Sequence, residues 1–235
     1  MDYVSFDVQV YDALYSVIKR RIPEFRVKFK DESKFQRLIG KLAIFNPGYM
    51  TSYTSTFGAN VWFPSREFVN SNRRRAFKIL AHEYVHLLDR KNHKIMFELF
   101  YVAPQVFGIF AVFSVLSVIS SWWLLSLIAL VFFMPLPALA RAVLEFRGYT
   151  MGLAINLWCH GEILDETRDD IVAQFCGWNY YKMWPFESVI RRWIADAEMR
   201  IRNIDSVGER SLDVIFNDSE AYLDVYNLVT GVEFD

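Results

Sequence analysis

The chain has 235 residues, 26 of them basic and 27 acidic, for a net charge of −1, and 53% are hydrophobic and 17% aromatic. That balance supplies no basic field for nucleic acid, and the length suits one sizeable domain or one domain interrupted by an insertion. Cys159 and Cys176 stand far apart with no CxxC spacing, which argues against a disulfide framework or a cysteine zinc ribbon.

The beginning, MDYVSFDVQVYDAL, has acidic residues and no basic-then-apolar order, so no signal peptide is expected. Residues 6–20 space their apolar positions as an amphipathic helix that Pro23 ends. EFRVKFK (24–30) alternates as a half-buried strand, and ESKFQRLIGKLAIF (32–45) returns to helical spacing. YTSTFGANVWFPS (53–65) is β-rich and broken at Gly58, which predicts a hairpin or a bulged strand. Asn70, Ser71 and Asn72 are N-cap residues for a helix that carries AFKILAHEYVHLL (76–88). The three arginines at 73–75 suit a solvated face or anionic headgroups.

Residues 99–140 then run for 42 positions without a charge. One spanning helix needs about 20 apolar residues, so the run predicts two, with a tight turn near Ser120 and Ser121. Trp122 and Trp123 suit a membrane interface there. Arg90, Lys91 and Lys94 precede the run and Arg141 and Arg147 follow it, which predicts both chain ends on the cytoplasmic side. Helical spacing resumes in 141–159, 163–184 and 186–203, followed by a mixed tail. No internal repeat or flexible linker is visible. The predicted divisions are 1–97, the hairpin 98–140, and 141–235.

In HExxH, helical spacing puts both histidines on one face, where the two imidazoles can bind one zinc ion and the glutamate can reach a water. Here those residues are His82, Glu83 and His86. A catalytic zinc uses three protein ligands. Asp89 and Asn92 occupy the positions where another zinc-protease pattern has glycine and histidine, and Asp89 reads as a supporting partner or a solvated charge. Glu145, on the helix after the hairpin, is the carboxylate best placed as third ligand.

HExxH, a membrane hairpin and a glutamate on the next helix together resemble the integral-membrane gluzincins, which include the bacterial heat-shock membrane protease and the CAAX prenyl protease. The resemblance covers roughly residues 50–155 and implies Glu145 as the third zinc ligand, with Arg141 four residues before it. Tyr149 stands where the family pattern has aspartate, and this chain has one hairpin where the larger relatives have more spans. The resemblance implies a mainly α fold with a small β-sheet, a gluzincin-like peptidase core interrupted by a two-helix transmembrane hairpin. It also implies an edge strand in 54–64 that receives substrate backbone.

The activity expected is hydrolysis of protein or peptide substrates by a zinc-activated water, with Glu83 as general base and Tyr149, then His160, as donors to the oxyanion. The expected partners are substrate and lipid membrane, with no nucleic acid. The alternative from another class is a catalytically idle, zinc-bearing membrane scaffold.

Overall fold

The computed structural model of the chain describes residues 8–42, 48–102, 105–133, 136–178, 182–207 and 219–231. Of the segments expected above, residues 6–7, 43–45, 103–104, 134–135 and 179–181 lie outside the described residues. The fold is mainly helical with one three-stranded sheet. The described residues divide into two units. One holds those up to Asp89, Arg147–Ile163 and those from Ala197 onward; the other holds Arg90–Phe146 and Leu164–Asp196.

In the first unit, the amphipathic spacing of residues 8–21 produces α1 (Val8–Arg21), which buries Leu14, Val17 and Ile18. Strand β1 (Arg26–Phe29) leads to α2 (Lys34–Leu42). Strands β2 (Ser55–Phe57) and β3 (Asn60–Phe63) form an antiparallel hairpin in which Thr56 faces Val61. Gly58 holds φ +66 in that turn, a conformation that suits glycine because it has no Cβ. Strand β1 pairs with β3 in parallel, so the order is β1-β3-β2 and β2 is an edge. Helix α3 (Arg66–Ser71) starts at Ser65, whose hydroxyl accepts from Phe68 N–H at 3.1 Å. Helix α4 (Arg73–Asn92) starts at Asn72, whose Oδ1 accepts from Arg75 N–H at 2.9 Å.

A charged network fixes the far side of α4. Asp224, on α9 (Ser219–Thr230), is 2% exposed; it accepts from Arg21 at 2.5 and 2.8 Å and from the Tyr84 hydroxyl at 2.7 Å. Burial, and then the bond to Asp224, keep the Tyr84 phenol protonated by raising its pKa far above the ordinary value.

The second unit departs from expectation. The uncharged run comprises the end of α5 (Lys94–Val102), two 3-10 helices, Gln105–Val118 and Ser121–Phe133, and the beginning of α6 (Leu139–His160). The turn falls at Ile119 and Ser120, as expected. Among the described residues no single helix is long and apolar enough to cross a membrane.

Runs of 3-10 helix beyond a few residues are uncommon, but this sequence has the matching period. Residues 108–119 read GIF-AVF-SVL-SVI, a small, a β-branched or branched, and a bulky residue in each triplet. Three residues per turn stack each class into a column. Phe107, Phe110 and Phe113 stack with centroids 6.3 and 6.1 Å apart, close to the roughly 6 Å that three residues rise. The column of Ile109, Val112, Val115 and Val118 is exposed, whereas Gly108 is buried and Ala111, Ser114 and Ser117 are half-buried. Phe107 meets Phe132 at 5.5 Å and Phe113 meets Trp123 at 6.0 Å, which joins the two 3-10 helices.

Beyond the hairpin, α6 is followed by α7 (Asp165–Cys176) and α8 (Glu187–Val207). Phe146 packs on Phe175 and Trp193, at 6.1 and 5.4 Å.

Candidate metal centre

Helix α4 is buried from Leu80 to Asp89 at every position except His82, which is half-buried. A helix covered on most sides belongs to a core, yet this one carries His82, Glu83, His86 and Asp89. Four-residue spacing sets the two histidines one above the other. Their Nε2 atoms are 3.1 Å apart and their rings meet edge to face at 4.8 Å.

Helix α6 approaches this ring pair closely because residue 148 is glycine. A Cβ there would lie 2.5 Å from Cε1 and 2.6 Å from Nε2 of His82, inside any real contact distance. The next residue, Tyr149, sets its ring edge-on to His82 at 5.0 Å. Glu145 is one turn before Tyr149 on the same unbroken helix and is 3% exposed. Donor atoms of His82, His86 and Glu145 lie within 4.8 Å of one another, a group that can hold a metal ion.

Asp89, one turn beyond His86, is not the solvated charge that one reading of the sequence allowed. It is 6% exposed and paired with Arg147 at 2.6 Å. Burial lowers the Arg147 pKa, and the Asp89 carboxylate opposes that shift. Arg147, counted above among the basic residues that follow the hairpin, is therefore a buried partner. The Tyr222 hydroxyl donates to its carbonyl at 3.2 Å.

Glu83 projects toward the sheet. The Thr56 hydroxyl, on edge strand β2, donates to its Oε2 at 2.7 Å. The chain leading into β2 is fixed by Lys30, which is fully buried and donates to the carbonyls of Tyr49 and Tyr53, both at 2.8 Å. Its ammonium also lies 3.7 Å from the centre of the Tyr49 ring. Burial pushes the Lys30 pKa down to about 8, with the Glu83 carboxylate opposing.

His160 is not brought to this group. Helix α6 continues through it, so it stands about 16 Å along the axis from Tyr149. There its Nε2 pairs with Arg74, near the start of α4. Burial, then Arg74 and Lys78, hold its pKa below the ordinary value.

Thr56, Gly148, Arg147 and Tyr101, whose hydroxyl donates to Glu145 Oε1 at 2.6 Å, do not follow from the motif. Only Gly148 carried a local signal, since an isolated glycine inside a helical pattern commonly marks close packing. No family model, curated protein or solved structure matches this chain.

Proposed function

We propose that this chain is a zinc endopeptidase of the integral-membrane gluzincin type, anchored by its apolar segment, with Glu83 as general base. The observation that carries the reading is the group of His82, His86 and Glu145, with Glu83 following the first histidine on the same helix. Two histidines and a carboxylate form the donor set of an open catalytic zinc site. Zinc–nitrogen bonds of about 2.0–2.1 Å at tetrahedral angles put two ring nitrogens roughly 3.3–3.4 Å apart, close to the 3.1 Å between His82 and His86.

When bound, zinc supplies a Lewis acid for the peptide carbonyl and an acidified water. Glu83 takes the proton of the attacking water as its oxygen bonds to the carbonyl carbon. It returns the proton to the amine nitrogen as the C–N bond breaks. Thr56 holds Oε2 of that carboxylate and so limits its rotation. Tyr149, whose ring lies against His82, is the donor this reading assigns to a developing oxyanion, and the distance of His160 along α6 removes its support for that role.

The membrane reading rests on surface and length. Of 30 large hydrophobic side chains exposed among the described residues, 22 lie between Ile95 and Leu139, an extent that calls for a cover. At about 2.0 Å per residue, 3-10 helices of 14 and 13 residues reach roughly 28 and 26 Å, a few ångströms short of the roughly 30 Å hydrocarbon thickness that a crossing helix spans. Arg90, Lys91 and Lys94 before the hairpin and Arg141 after it favour chain ends and site on the cytoplasmic side. The substrates on this reading are membrane-proximal or misfolded chains.

The test compares wild type with Glu83→Gln, purified in detergent, for zinc content and for cleavage of unfolded protein substrates. Equal zinc with turnover lowered by about 10²–10⁴-fold is the expected result. Zinc in both with cleavage in neither would favour the idle scaffold.

A further inference from the structure

The carboxylate proposed as third ligand has a hydrogen-bond donor from the apolar segment itself. Tyr101, near the end of α5, donates its hydroxyl to Glu145 Oε1 at 2.6 Å. Its ring is fixed in turn. Phe97, one turn earlier, stacks on it at 5.6 Å, and the Arg141 guanidinium lies 5.0 Å from its centre. A phenol with both ring contacts made has little freedom to swing, so it sets the plane of the Glu145 carboxylate. A carboxylate held through one oxygen keeps that bond when it binds a metal through the other.

We infer that Tyr101 is the positioning residue for the metal site: its hydroxyl orients Glu145, so the segment running into the 3-10 pair sets the affinity of the centre. The inference rests on the metal-site reading above and adds that the hairpin does more than anchor. Ligating carboxylates are oriented by hydrogen bonds from their surroundings, and loss of such a bond commonly weakens metal binding by about 10–100-fold. Nothing in HExxH or in the placement of Glu145 requires a tyrosine 44 residues earlier.

Zinc affinity is measured by competition with a chromogenic chelator on the full chain in detergent, with thermal unfolding as a check on folding. Tyr101→Phe removes the hydroxyl and keeps the ring, and it should lower affinity by about 10–100-fold. Glu145→Ala should lower it further. In the double variant the loss should equal that of Glu145→Ala alone, because the hydroxyl acts only through that carboxylate. Phe97→Leu loosens the ring stack but spares the hydroxyl, so its loss should be clearly smaller than that of Tyr101→Phe.

Wild-type affinity in Tyr101→Phe, beside a clear loss in Glu145→Ala, overturns this inference and leaves the metal site standing. Fully additive losses, or an equal loss in Phe97→Leu, overturn it as well, by showing an effect of packing. A wild-type chain that binds no zinc overturns both the inference and the reading beneath it.

Discussion

In α4 the side chains withdrawn from water include Glu83, His86 and Asp89, whereas in the 3-10 pair those left at the surface include Ile109, Val115, Trp122 and Ile128. One region buries what usually faces solvent, and the other exposes what usually does not. An exposed leucine or a buried leucine says little, but a buried carboxylate or a broad apolar surface calls for a compensating partner. For α4 the partners are visible: Arg147 for Asp89, Thr56 for Glu83, and a second imidazole for His82. For the 3-10 pair none is visible among the described residues, and lipid is the cover we propose. The two inversions therefore differ in kind. One is resolved by specific polar contacts, the other, on the reading proposed above, by a non-directional environment.

The contrast is broken most severely at the buried ion pair. Asp89→Ala leaves the Arg147 guanidinium without its carboxylate in a covered position and should cost about 3–5 kcal/mol in stability. Replacing both, as Asp89→Leu with Arg147→Met, should recover most of that loss, since an apolar pair of similar volume is often neutral. Chemical denaturation in detergent reads both. The exposed column comes next. Val115→Lys placed in lipid should oppose insertion by about 2.5–3.5 kcal/mol, read as a smaller membrane-integrated fraction in a translation assay. Were water the natural cover, the same change would raise solubility without affecting integration.

A smaller effect is expected at Gly148. Alanine there gains helix propensity but meets the His82 ring, and overpacking of this kind costs about 1–3 kcal/mol. Thermal unfolding should register the loss, and zinc affinity should fall with it because His82 is displaced. The smallest effect follows from Lys30. Burial holds its pKa at about 8 in the folded chain against an ordinary 10.5, so between those pH values the unfolded chain binds more protons. Stability from this group therefore rises as pH goes from about 8 toward 10.5, and below pH 8 the buried charge opposes folding. Lys30→Met should flatten that rise, measured as melting temperature against pH.

Much of the first unit was legible because its signals are local. Pro23 ends a helix, Gly58 makes a turn, Asn72 caps α4, and HExxH places three side chains by spacing alone. The helix bearing Glu145 also followed from apolar spacing. What escaped were contacts between residues far apart in sequence: Thr56 with Glu83, Asp89 with Arg147, Tyr101 with Glu145. No periodicity encodes which side chain a fold brings opposite another. The first 3-10 helix is a different case, because residues 108–119 carry a three-residue pattern of side-chain size. Hydrophobicity on nearly every side hides a period of three from any test built on polar and apolar alternation. Only residue size, small at Gly108, Ala111, Ser114 and Ser117, reveals it.

The Asp224 network has a consequence in time. Arg21 and Tyr84 meet Asp224 across 203 and 140 residues of chain. Translation at about 5–20 residues per second separates Tyr84 from its carboxylate by roughly 7–28 s. During that interval the apolar segment and Glu145 have already been made, while the helix bearing both histidines still lacks its bond to α9. A nascent chain thus completes its apolar 3-10 pair before the back of α4 is locked. The apolar segment comes first in the order of synthesis, and closure of the first unit waits for α9.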